Sequence, residues 1–261
     1  MTQRRGLGVD AGLDAGLARE LAARCEALGY HSLWSNDEPG ESGLETLAHF
    51  AAGAPGLELG VGVLPLDRHE PRAIVAEIER LRLNPSHLWL GIGTGPVRSI
   101  DVVQRSVDEL RALLPDGTRI VVAAMRPRLC RLGGAIADGV LLNWMLPPQA
   151  ASMRERVRQG AADAERQPPF VASYVRVAVG EGATERLRAA ESIYRRITEG
   201  YRQHFVAMDV PLGTVGVAAA SRAEVVQTLG QYDSVLDLTI VRVLGDRTAS
   251  ALSAVADAAA P

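Results

Sequence analysis

The residues best suited to chemistry gather where apolar runs end. Trp34-Ser-Asn-Asp-Glu38 places two adjacent carboxylates, Asp37 and Glu38, directly after a β-rich run. Acids so placed can orient a ligand or carry a proton. The same pair also suits a helix-start cluster or ordinary surface charge. Gly60-Val-Gly62-Val63-Leu64 and Gly91-Ile-Gly93-Thr94-Gly95 end two further runs. Glycine there lets a planar or phosphorylated ligand approach the backbone, and it serves a sharp turn equally well. Arg126, in Ala123-Ala124-Met125-Arg126-Pro127, precedes a helical pattern whose first amides can hold an anion. A solvated loop arginine is the alternative. His69, in Asp67-Arg-His-Glu-Pro71, reads as a loop histidine satisfying backbone groups, and His31, His49, His87 and His204 as structural.

Several chemistries lack their motifs. There is no HExxH and no Cys/His cluster, so a metal site is not expected. No G-x-S-x-G elbow supports a serine nucleophile. Cys25 and Cys130 fall in helical patterns and read as reduced core thiols.

The elements that position these residues alternate. β-rich runs lie at Leu7–Val9, His31–Trp34, Leu57–Leu64, His87–Ile92, Arg119–Ala124, Gly139–Leu142, Phe170–Val179 and Leu236–Val243. Runs apolar on both faces predict strands buried in a parallel sheet. Between them, Leu17, Leu21, Cys25 and Leu28 share one helix face, and Gly29 follows as its stop. Ser42–Glu45 and Ser221–Glu224 read as capping boxes. Ile74, Ile78 and Leu81 stripe one helix; Val103, Val107, Leu110 and Leu114 stripe the next. Strands start about 20–32 residues apart, the ordinary length of a βα unit. The last gap is about twice that and must hold an extra helical stretch, near Glu181–Met208. Eight such units without a dividing linker predict a single α/β domain over residues 1–261, a TIM (β/α)8 barrel with shortened loops and that extra segment between strands seven and eight. A doubly wound open sheet would carry GxGxxG after the first strand, and Asp10-Ala-Gly-Leu-Asp14 does not.

Composition narrows the partners. The chain has 261 residues, 47% of them hydrophobic, enough for a large core. All 28 basic residues are arginine, yet the net charge is -3, leaving no basic surplus for nucleic acid. Aromatics at 4% argue against base-stacking platforms. No apolar run reaches the roughly 18 residues of a membrane helix, and Met1–Arg5 does not open a signal peptide. A cytoplasmic protein acting on a small molecule, away from membranes, is the expectation.

The runs ALGYHSLWSND, LELGVGVLPLDRHEP, LWLGIGTG and RIVVAAMRPRLCRLGGAIADGVLLNW resemble the bacterial luciferase-like superfamily, and more narrowly its F420-dependent oxidoreductases. The resemblance spans about Gly6 to Trp144 and continues more weakly through ASYVRVAV and LDLTIVRVL. It implies a TIM barrel with a flavin or deazaflavin in its mouth, and hydride transfer at C5 of F420 or N5 of a flavin. It places a bulge with a non-proline cis peptide on strand three, which by position is Gly62–Val63, beside Gly60. Gly93 and Thr94 would line the pocket. Ala124, Met125, Arg126 and Leu129 would lie by the cofactor phosphate, with Asn143 and Trp144 at the next strand end.

The departures carry weight. Family sugar-phosphate dehydrogenases have an Asp-His pair after strand two, where this chain has Asp37-Glu38. They also have a glutamate after the strand-four glycines, where Pro96 stands here. That reaction is therefore not expected, although Glu38 retains the capacity to carry a proton. The readings left open are an F420-dependent oxidoreductase, an FMN-dependent monooxygenase of the same fold, and a non-catalytic cofactor-binding barrel. The resemblance also implies a homodimer, to which the Leu44, Leu47 and Phe50 face could contribute if it is not packed on the barrel.

Overall fold

A computed structural model describes residues 4–95 and 99–261. In chain order the elements are β1 (Arg5–Val9), α1 (Ala15–Ala27), β2 (Ser32–Ser35), α2 (Gly43–Gly53), β3 (Glu58–Pro65), α3 (Pro71–Arg80), β4 (Leu88–Gly93), α4 (Ile100–Leu113), β5 (Arg119–Ala123), α5 (Pro127–Ile136), β6 (Gly139–Asn143), α6 (Pro147–Asp163), β7 (Phe170–Val179), α7 (Ala183–Ile197), α8 (Glu199–Met208), β8 (Val217–Ala219), α9 (Arg222–Asp233), β9 (Leu238–Val243) and α10 (Ala249–Ala258).

The strands β1 to β7 pair in order, and β9 joins β7 to β1, so eight parallel strands close a ring. The eighth predicted run is therefore β9. The extra segment holds α7 and α8, as expected, and also a short strand that periodicity did not reveal. This β8 pairs with β7 at Val177–Val179, above the level at which β6 ends opposite Tyr174. Three residues are too few to show an alternation.

The barrel interior is filled by Trp34, Trp89, Val121, Leu141, Ala172, Tyr174, Leu238 and Ile240. Trp34 and Tyr174 meet edge to face, with ring centroids 6.4 Å apart. Two large rings fit only because glycines face them. A Cβ at Gly60 would run into the Trp34 ring, and one at Gly8 would lie 2.9 Å from Tyr174 Cε1. A separate, larger apolar layer lies between the strands and the helices. There Leu44, Leu47 and Phe50 of α2 are buried within the protomer, so that face offers no dimer surface.

Local signals set the helix ends. Asp14 accepts from the Gly16 and Leu17 amides to open α1, and Gly29 follows its end at φ +84°. Ser42 Oγ accepts from Glu45 N at 3.2 Å, opening α2. Glycines also bring α5 and α6 into backbone contact: a Cβ at Gly134 would strike the Val157 carbonyl, and one at Gly160 that of Arg131. Burial pushes both cysteine thiols up to about 12, which leaves them protonated and unreactive.

Candidate functional site

The candidate site lies at the C-terminal mouth of the barrel. At its rim, the pairing of β3 with β4 shifts register between Val61 and Leu64, and the Gly62–Val63 peptide inside this bulge is cis. The bulge leaves Val63 half-buried, against Gly93 of β4. Tyr174 of β7 reaches across the barrel toward it, and a Cβ at Gly62 would lie 2.6 Å from the Tyr174 hydroxyl. Thr94 donates to the Gly95 carbonyl at 3.1 Å, and Gly95 turns the chain at φ +57° over Asp67.

One layer higher, Arg176 of β7 and Arg242 of β9 stand opposite each other in register. Both follow inward-facing residues by two positions, so both point into the mouth. They are 4% and 6% exposed. Arg242 pairs through one nitrogen with half-buried Asp10, just after β1. Arg176 donates to Asn143 Oδ1 and lies 4.1 Å over the Trp144 ring and 5.1 Å from the Tyr194 ring. Asn143 Nδ2 in turn donates to Tyr201 Oη at 2.8 Å. Burial dominates the acid–base properties here. It lowers the pKa of Arg176, raises that of Tyr174, and pushes Tyr201 up to about 12.

The helices α7 and α8 cover the β6 side of the mouth. Trp144, at φ +52°, is buried against Tyr194 and Phe205, with centroids 5.0 and 5.6 Å away. His204 Nε2 donates to the Trp144 carbonyl at 2.6 Å, and burial depresses its pKa. Arg126 donates to Gln203 of α8 at 2.8 Å. Ala124 is buried, while Met125 and Leu129 pack on the outer apolar layer.

The acids picked out from the sequence have separate fates. Asp37 accepts from Arg68 Nη2 and His69 Nε2, each at 2.8 Å, and from Gly43 N at 3.3 Å. It clamps the loop after β2 to the loop after β3, and its side chain is buried. Glu38 stays on the rim, where it accepts from Asn36 Nδ2 at 2.6 Å and faces Arg247 at 3.7 Å. Asn36 Oδ1 accepts from Ala11 N, tying Glu38 to the end of β1. Pro96 lies outside the described residues.

The structure thus gathers Gly60, Gly62, Val63, Gly93 and Thr94 around the bulge, and Asn143 and Trp144 around Arg176. Sequence reasoning passed over Tyr174, Arg176, Arg242 and Asp10. A signal existed: Tyr174-Val-Arg176 and Ile240-Val-Arg242 each set an arginine at the inward parity of an apolar strand. Among the described residues, no group of histidines, cysteines and acids could hold a metal ion, and no helix is long and apolar enough to cross a membrane.

A sequence profile for luciferase-like monooxygenases matches residues 96–237, more than half of the chain. The chain belongs to the luciferase-like monooxygenase family. No curated protein sequence matches it. Among solved structures, this luciferase-like barrel is similar to an F420-dependent secondary alcohol dehydrogenase in complex with an F420-acetone adduct, at TM-score 0.79 and 15% identity over 99% of both chains. It is similar to the coenzyme F420 dependent tetrahydromethanopterin reductase of Methanopyrus kandleri, at 0.76 and 13% over 98% of both. It is also similar to the FMN-bound oxygenating constituent of 3,6-diketocamphane monooxygenase from Pseudomonas putida, at 0.67 and 14% over 100% of this chain and 99% of that one. These likenesses establish the fold.

Proposed function

We propose that this luciferase-like protein is an F420-dependent oxidoreductase acting on a small organic substrate. The observation that carries the reading is the mouth itself. A bulged β3 presents half-buried Val63 as an apolar surface, and Tyr174 Oη by Gly62 and Arg242 Nη1 one layer higher on β9 are buried donors without acceptors among the described residues. A flat ring bearing carbonyl oxygens suits an apolar floor flanked by unused donors. When bound, F420 supplies hydride donation or acceptance at C5.

The residues of the chain bind, orient and exclude water. Gly60, Gly62 and Val63 would support the ring from β3, with Gly93 and Thr94 alongside. Ala124, Met125, Arg126 and Leu129 would meet the tail phosphate, and Asn143 and Trp144 would close the β6 side. The long acidic tail of F420 favours the arginines near the rim, Arg68, Arg126 and Arg128. Glu38, on the rim and held by Asn36, is the acid placed to carry a proton; Asp37, bonded to Arg68 and His69, positions the loops instead. E38Q should then lower turnover at least tenfold without changing F420 affinity. Unchanged turnover would remove Glu38 from the mechanism.

The deciding measurement is a paired fluorescence titration of the purified protein with F420 and with FMN. Binding of F420 in preference to FMN supports the reading. Preference for FMN moves the protein to the flavin-dependent monooxygenases, and binding of neither leaves a barrel without this cofactor chemistry. A cytoplasmic homodimer completes the proposal, and a solution mass equal to one protomer would reject the dimer.

A further inference from the structure

The two mouth arginines are incompletely neutralised. Arg176 and Arg242 are directly opposed on adjacent parallel strands, both buried. Like charges at such a position repel, and a buried cation without a counter-ion is costly. Among the described residues at this level, one carboxylate, Asp10, answers two guanidinium groups, and it pairs with Arg242 alone. The remaining neighbours of Arg176 are neutral: Asn143, Trp144 and Tyr194. Glu38, further out, already faces Arg247.

Hydrogen bonding shows the same shortage. Arg242 Nη1, Tyr174 Oη and Trp144 Nε1 are buried without acceptors among the described residues. All three can donate, and two of them cannot accept. Tyr174 lies between the arginines, its ring 5.7 Å from the Arg242 guanidinium and 5.9 Å from that of Arg176. What this layer lacks is an acceptor carrying negative charge.

We propose that the substrate carries a carboxylate, and that Arg242, Arg176 and Tyr174 form the subsite that receives it. One carboxylate cancels the surplus of two guanidinium groups over one aspartate. Its planar pair of oxygens matches the guanidinium fork, and it accepts from both Arg242 Nη1 and Tyr174 Oη. The inference rests on the mouth being the active site and names the class of substrate held there. Tyr174, next to Gly62 in the bulge, would then place the substrate against the same β3 backbone that is proposed to support the cofactor.

The test is calorimetric titration with charged and neutral isosteres: acetate against acetamide, and benzoate against benzamide, with and without saturating F420. The acids should bind at least tenfold more tightly than the amides. R242Q should abolish that preference, R242K should keep part of it, and Y174F should weaken the acids about fivefold. R72A, which alters an arginine 82% exposed on α3, should change nothing. Equal affinity for acid and amide in the wild type, or an undiminished preference in R242Q, overturns the proposal. If R242Q does not fold, the wild-type isostere comparison and R242K decide it. Carboxylate binding through Arg242 without F420 binding would keep the subsite and reject the cofactor reading. Displacement of bound F420 by the acids would overturn the substrate assignment, because the anion accommodated would be the cofactor's own.

Discussion

Arg5 at the base of the barrel and Arg242 at its mouth are both buried, and they are paired very differently. Arg5 donates to Asp233 Oδ2 at 2.7 Å and to the Ala259 and Ala260 carbonyls at 3.1 and 3.2 Å. It fastens β1 to α9 and to the chain end beyond α10. Arg242 shares one carboxylate, faces another arginine in register, and keeps a donor unused. At the base the Arg5 charge is answered by Asp233 and by two backbone carbonyls, so the group serves stability, even though Asp233 Oδ1 has no partner of its own among the described residues. At the mouth the answer is missing, which is how a binding surface differs from a core.

The largest effect should come from breaking the base. R5M would leave Asp233 buried without its cation, and urea unfolding should show a loss of about 3–5 kcal/mol. A double change to apolar residues, R5M with D233L, should recover most of it. If R5M costs no more than a surface substitution, the contrast between the two ends fails.

At the mouth, G62A would press a Cβ against the Tyr174 hydroxyl, at 2.6 Å in the present geometry. A loss of about 1–3 kcal/mol is expected. The same change in a Y174F background should recover only part of that loss, because the hydroxyl is gone but Leu141 Cδ2 still stands 2.7 Å from the new Cβ.

Acid stability tests the base again. Glu58, at the start of β3, accepts from Trp89 Nε1 and Arg119 Nη1 and faces His31. Burial alone would raise its pKa, but these three partners together hold it at about 2, against an ordinary value of 4.5. A depressed acid stabilises the fold above its unfolded pKa, and that contribution is lost as pH falls from about 4.5 toward 2. Chemical denaturation across this window should show the decline, amounting to about 1–2 kcal/mol after partial solvent screening, and E58Q should flatten it.

The smallest effect should be Y174F. Its hydroxyl has no partner among the described residues, so thermal melting should move by no more than about 0.5 kcal/mol equivalent. A large loss would show that the hydroxyl is satisfied in solution, and the contrast with Arg5 would weaken.

Much of the fold was legible beforehand. Eight apolar runs became the eight strands of the ring, and Gly29 and Ser42 marked helix ends. These features depend on neighbours within a few residues, through period, propensity and capping. The site was less legible. Asp37 was paired with Glu38 as an acid able to orient a ligand or carry a proton, and its partners Arg68 and His69, some thirty residues on, could not be foreseen. Trp144 came only as a strand-end residue beside Asn143, with no sign in the sequence that α7 and α8 would pack over it. Arg176 and Arg242 were not singled out at all, because nothing near either in the sequence shows that the two meet. Local periodicity determined which segments became strands and which faces were apolar. Closure of the ring decided that β9 would lie beside β7 with Arg242 opposite Arg176, because register between distant strands is set by the packing of the whole barrel and not by either strand alone.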